Sequence, residues 1–130
     1  MLTSIIRTRV AQLVTASLIF VVPAVAGPID TAFQNAIVPY VVLKRGTVEC
    51  GKPAGEHIAY KTRMIAILGR IHGVDLIAAD REIERAFERE APRTSKPECS
   101  DALLQRYQNT FTTGAEIALQ TLNEQVRNSE

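Results

Sequence analysis

Residues 55–92 read GEHIAYKTRMIAILGRIHGVDLIAADREIERAFEREAP, and this stretch decides the fold class. From about Gly55 to His72, Ile58, Thr62, Ile65, Leu68 and His72 recur at three- and four-residue spacing with Ala59, Ala66 and Ile67 beside them, the period of an amphipathic helix. Gly73 stands where helices stop. Asp75 is placed to cap a following helix that carries Leu76, Ala79, Ile83 and Phe87 inward, and Pro92 closes that helix at or before Ala91. A link of two or three residues between them favours an antiparallel helical hairpin.

The flanking sequence keeps the same period. Towards the amino terminus, Asp30 or Thr31 can cap a helix running towards Arg45 through Phe33, Ala36, Ile37, Tyr40 and Val41. Pro39 lacks an amide hydrogen, so it is expected to kink or end this helix, with Tyr40–Leu43 extended beyond it. Gly46–Gly55 reads as a loop. Towards the carboxyl terminus, Ser95 and Glu98 have capping-box spacing, which starts a helix with Cys99 in its first turn. An apolar line then runs through Leu103, Tyr107, Phe111, Ala115, Ala118 or Leu119, Leu122 and Val126, and argues for one long helix; Thr113 and Glu116 form a second capping box around Gly114 that would break it.

The two cysteines, Cys50 and Cys99, are expected to form a disulfide, with free thiols as the alternative. Closing a loop of about 50 residues is worth roughly 4 kcal/mol in the chain-entropy account. It also places the segment before Cys50 beside the segment that starts at Cys99. The spacing excludes Cys-x-x-Cys redox chemistry, and no second close ligand points to zinc.

The oxidising compartment that a disulfide needs agrees with the first 26 residues. Arg7 and Arg9 precede an uncharged run from Val10 to Ala26, Pro23 interrupts it, and Ala24-Val25-Ala26 presents small residues for cleavage. This is the layout of a secretory signal peptide, cut after Ala26. An uncleaved anchor is the competing reading, but the run of about 17 residues includes Gln12, Thr15 and Ser17 and falls short of a spanning helix. The expected organisation is a signal peptide over residues 1–26 and a single all-α domain of four or five helices over 27–130, held by one disulfide.

The chain of 130 residues is 46% hydrophobic and 22% charged, with a formal net charge of +1. That composition excludes a disordered or low-complexity protein. Two of the 15 basic residues leave with the leader while all 14 acidic ones remain, so the exported part carries a formal −1. Nothing then favours nucleic acid as a partner. No later stretch reaches membrane-spanning length either.

Motifs for catalysis are missing from the sequence. There is no Gly-x-Ser-x-Gly, no phosphate-binding glycine loop with lysine and no His-Glu-x-x-His. Ser95 and Ser100 flank Cys99 at a helix start and read as caps. His57 and His72, if they share one helix, lie about 22 Å apart and cannot share a metal. His57 with Glu56 and Lys61 reads as a solvated polar helix end, and His72 as a helix C-terminal residue. No catalytic residue, metal or cofactor is expected.

The densest charge pattern is residues 80–90, where Asp80, Glu84 and Glu88 form an acidic row and Arg81, Arg85 and Arg89 a basic one at helical spacing. Such a pattern is ordinarily a solvated face. As a functional element, the three arginines form a candidate partner-binding surface for carboxylates or an anionic envelope polymer. The long carboxyl-terminal helix offers a second route to a partner or to another copy of the chain. The expectation is therefore a non-enzymatic, bacterial, periplasmic or secreted factor that binds a protein, such as an envelope-complex accessory, an inhibitor or immunity-type protein, or a chaperone. The alternative is a small secreted effector or hydrolase.

Overall fold

A computed structural model describes residues 23–94 and 97–130, the first four of them by their backbone alone. The expected leader up to Val22 and the expected cap Ser95 lie outside these residues. Among the described residues the structure is all-α: α1 Pro23–Cys50, α2 Gly55–Leu68, α3 Leu76–Glu90, α4 Asp101–Asn109 and α5 Ala115–Ser129, with a π-helical segment Thr110–Gly114 joining the last two. The Cys50–Cys99 disulfide is formed, with the two Cα atoms 4.8 Å apart.

α1 is the axle of the molecule and packs against each of the other helices. Its buried residues run from Ile29 through Phe33, Ala36 and Ile37 to an uninterrupted set at Tyr40–Leu43, so for that one turn the helix is enclosed on all sides. Thr31, Gln34, Asn35 and Val38 form a solvent stripe along it. The helix neither ends at Pro39 nor gives way to an extended segment at Tyr40. Proline costs the turn one hydrogen bond, that to the carbonyl of Asn35, and Asn35 lies on the solvent stripe where water can serve it. In the same turn the buried Tyr60 hydroxyl of α2 donates to the carbonyl of Ala36 at 2.6 Å.

Gly46 does not open a loop either. α1 continues to Cys50, and the loop shortens to residues 51–54. A Cβ at position 46 would sit 2.3 Å from the ring of Tyr107, so the missing side chain is what lets α4 close onto α1. The true stop is Gly51, at φ +69°, whose amide bonds the carbonyl of Thr47.

α2 is rotated from the face its apolar line suggested. His57, Tyr60, Met64 and Leu68 are buried, whereas Ile58 is 57% exposed. It ends at Leu68 rather than at His72, tightening into three-residue turns in which Arg70 bonds Ile67 and Ile71 bonds Leu68. The link to α3 is therefore seven residues long, 69–75. Asp75 caps α3 as expected, accepting from the amide of Ala78 at 3.0 Å, and α3 ends at Glu90 before Pro92. Ala79 and Ile83 are buried, Phe87 is partly covered and Leu76 is about one-third exposed.

The fourth helix starts later than the capping-box spacing suggested. Cys99 precedes it, and Ser100 is the cap, accepting from the amide of Leu103 at 3.1 Å. From Asp101 to Ser129 the chain is helical throughout, but through the π segment rather than as a uniform α-helix. The apolar line explains why. It advances in steps of four from Leu103 to Leu119, and each such step overshoots an α-helical turn by about 40°, so a wider turn is needed to return Leu119 to the core. Phe111 falls within that turn, half-exposed and stacked on Tyr107 with ring centroids 6.1 Å apart.

Candidate functional site

Three helices each place a pair of polar side chains four residues apart at one groove. α1 supplies Tyr40 and Lys44, α2 His57 and Lys61, and α3 Asp80 and Glu84. Four-residue spacing stacks side chains on one helical face, so each pair faces the groove as a unit. The expected exposed cluster of Glu56, His57 and Lys61 is corrected here: Glu56 is exposed, but His57 is only 9% exposed and Lys61 is half-buried.

Glu84 is the hub. It accepts from the Tyr40 hydroxyl, from Lys44 Nζ at 2.8 Å and from Lys61 Nζ at 3.0 Å. Lys61 also reaches Asp80 at 2.6 Å. Burial alone would raise the Glu84 carboxyl, but the hydrogen bonds from Lys44, Tyr40 and Lys61 outweigh it and hold the pKa at about 2. Burial, with the bond to and charge of Glu84, pushes the Tyr40 phenol far above its ordinary range. Lys61 loses some of its charge preference to burial and regains more from Asp80 and Glu84, so its pKa is raised. At neutral pH the carboxyl is thus ionised, the phenol protonated and the lysine charged.

His57 is the exception. Its ring stands edge-on to Tyr40, with centroids 5.8 Å apart and planes at 79°, and its Nδ1 is sealed without a hydrogen-bond partner. Burial lowers its pKa, the nearby Lys44 and Lys61 lower it further, and Glu84 opposes them. The imidazole is therefore neutral at pH 7 and is the member of the groove that titrates nearest to it. Beside these groups lies an open cavity of about 510 Å³, walled on α2 by Ile58, Thr62 and Ile65. The apolar line of α2 that the sequence assigns to the core is thus in part the wall of this groove.

The arginines singled out by the sequence occupy a different surface. Arg81, Arg85 and Arg89 are all exposed. Arg89 comes within 3.9 Å of Glu82, while Arg81 and Arg85 make no ion pair among the described residues. The acidic row of the same helix is divided: Asp80 and Glu84 turn into the groove, and Glu88 stays outside.

A third polar feature lies across α2 from the groove. Arg63 holds Glu116 of α5 through two bonds of 2.9 and 3.0 Å, both side chains more than half-exposed. Further along, Arg70 bonds Asn123 and Glu130. Among the described residues no group of three or more histidine, cysteine or acidic side chains could hold a metal ion. No helix among them is long and apolar enough to cross a membrane.

The sequence singled out the arginines and pointed to the Cys50–Cys99 bridge, but gave no sign of Tyr40, Lys44, Asp80 and Glu84 meeting at one groove. One signal was available: Asp80 and Glu84, like charges one turn apart, are unfavourable on an isolated helix and imply cations facing them. No family model matches the chain, and neither the curated proteins nor the solved structures contain a match to it, so its own residues alone bear on what it does.

Proposed function

We propose that the chain is an exported binding protein of the bacterial periplasm or exterior that catalyses no reaction and docks an acidic protein partner through the Arg81, Arg85 and Arg89 row of α3. One observation carries this reading: α3 turns Asp80 and Glu84 inward, where lysines neutralise them, and leaves the three arginines to solvent. Arg81 and Arg85, with no ion pair among the described residues, keep their forks of donors for outside carboxylates, and Arg89 lies 3.9 Å from Glu82.

Export is supported by the disulfide and by the start of the core. Among the side chains described, Ile29 is the first in it. A cut after Ala26 falls ahead of Ile29 and leaves Pro28 in the first turn of α1, where a proline lacks nothing the helix uses. Sequencing the amino terminus of the protein recovered outside the cytoplasm should give Gly27.

The docking reading is tested by exchanging Arg81, Arg85 and Arg89 together for alanine. The far-ultraviolet spectrum and unfolding midpoint should hold, because surface substitutions of this kind act within about 0.5 kcal/mol. Cross-linking in the native envelope should then lose the partner seen with the unaltered protein. An unchanged cross-linking pattern defeats the proposal.

A further inference from the structure

We propose that the Cys50–Cys99 bridge is a site of thiol–disulfide exchange with a dithiol reductant, and that opening it releases α4 from α1 while the other helices stay packed. α3, which carries the arginine row, packs on α1 and α2 and not on α4, so this proposal and the docking one stand apart.

The bridge is within reach of a reagent. Cys99 is exposed, and Cys50, the last residue of α1, is only partly covered. Exposed disulfides are the labile and regulatory class, whereas well-protected ones resist reduction. A thiolate of the dithiol attacks the sulfur of Cys99, forms a mixed disulfide with it and expels Cys50 as a thiolate. The second thiolate of the dithiol then attacks the reagent's own sulfur in that mixed disulfide and expels Cys99. Two electrons pass from the dithiol to the bridge, the dithiol leaves as a disulfide, and the two protons it gives up end on Cys50 and Cys99.

What the bridge holds is the least supported helix of the fold. α4 has nine residues and two buried side chains, Leu103 and Tyr107, and Leu103 lies outside the contiguous core. Apart from the π segment that continues it, α1 is the only helix that α4 packs against among the described residues. α5, by contrast, packs on both α1 and α2 and buries Leu119, Leu122 and Val126. Among the described residues no ion pair joins α4 to another element, whereas Lys61 ties α2 to α3 and Arg63 ties it to α5. A helix of nine residues does not hold its shape in water without packing.

The seam between α4 and α1 is narrow as well. It closes where the Tyr107 ring meets the bare backbone of Gly46, with Lys52 Nζ 5.5 Å from the centre of that ring. An element with so few buried contacts opens ahead of the rest of the molecule once its covalent tie is gone. Release turns Leu103 and Tyr107 to solvent and uncovers the Gly46 turn. The reduced protein then presents an apolar surface at the carboxyl end of α1 that the oxidised protein keeps closed.

The test takes oxidised protein expressed from the full 130-residue reading frame and treats it with dithiothreitol, without denaturant. Thiol counting should show complete reduction. Hydrogen exchange read by mass spectrometry should then find the amides of α4 within about tenfold of an unstructured chain, while those of 33–43 in α1 and 117–126 in α5 keep at least about hundredfold protection. Loss of the cross-link frees the unfolded chain and lowers the protection of every amide that exchanges through global unfolding alike, so the additional loss in α4 is the signature of release. Cys99→Ser should give the same pattern in α4 without reductant. A bridge that opens only in denaturant, an α4 that stays protected after reduction or in Cys99→Ser, or a loss shared equally by all the helices would overturn the proposal.

Discussion

Lys61 and Arg63 stand two residues apart on α2 and join it to different neighbours, and the two junctions are unlike in everything except the formal pairing of charges. Lys61 enters a groove where two lysines, a phenol and two carboxylates share bonds, its own side chain 24% exposed and that of Glu84 29%. Arg63 meets Glu116 by itself, at 55% and 53% exposure. The Arg63 pair has the better geometry, two parallel bonds from a planar fork, yet water screens it and competes for both partners. The groove has irregular geometry, but taking away any member leaves other charges half-buried and unmatched. Connectivity, more than the shape of any one bond, decides how much an ion pair contributes here.

That contrast can be broken experimentally, and the largest effect is expected at its hub. Glu84→Ala removes the acceptor of three donors and should lower unfolding free energy by about 3 kcal/mol in urea titration, since it strands the Lys44 ammonium and the Tyr40 hydroxyl and leaves Lys61 to Asp80 alone. If the loss is no larger than that of an ordinary surface substitution, the groove does not act as a network.

Acid should open the groove in two stages, with a combined loss of about 2 kcal/mol after allowance for partial exposure. His57 has a folded pKa below its unfolded value of 6.5, so the unfolded chain binds a proton first and stability begins to fall as the pH drops below that value. Glu84, held at about 2 against 4.5 when unfolded, contributes fully above 4.5 and loses its contribution between 4.5 and 2. Unfolding midpoints from pH 8 to 3 should therefore fall first near 6 and again below 4.5, and His57→Gln should remove the upper step alone.

Tyr40→Phe deletes one bond to Glu84 and keeps the ring against His57, so it should cost about 1 kcal/mol. In a double-mutant cycle with Glu84→Ala the two losses should fall short of adding, because they share that bond. At the other junction Glu116→Gln should leave the urea midpoint unchanged within error at ordinary salt. A clear loss there would place isolated surface pairs on a par with the network.

The parts of this architecture that sequence reading found are those whose causes are local or covalent. Asp75 caps because its own oxygen reaches three residues on, Pro92 bars a helix by its own ring, and the chain's two cysteines pair by their chemistry. What it missed was decided between helices. Pro39 and Gly46 look like breaks until Asn35 is seen on the solvent stripe and Tyr107 against the bare glycine. On α2 two periodic lines compete, Ile58–Thr62–Ile65 and His57–Tyr60–Met64–Leu68, and periodicity cannot choose between them; contact with α1 and α5 chooses the second. The groove was hidden for a related reason. Its three pairs are each one turn long, but residues 45–56 and 62–79, 12 and 18 residues of other sequence, separate them, so no local motif spans the site.

The disulfide adds a consequence for a cleaved chain. Cys50 and Cys99 are separated by 49 positions, and α2 and α3, with every groove residue except Tyr40 and Lys44, fall inside the ring they close. A protease that cuts within this ring, for instance beside exposed Arg93, produces two polypeptides still joined as one molecule. Such a nicked form would migrate as a single species until a reductant separated its halves. A protease could thus cut the backbone without releasing a fragment, and the redox state of the surroundings would determine whether the cut had any effect.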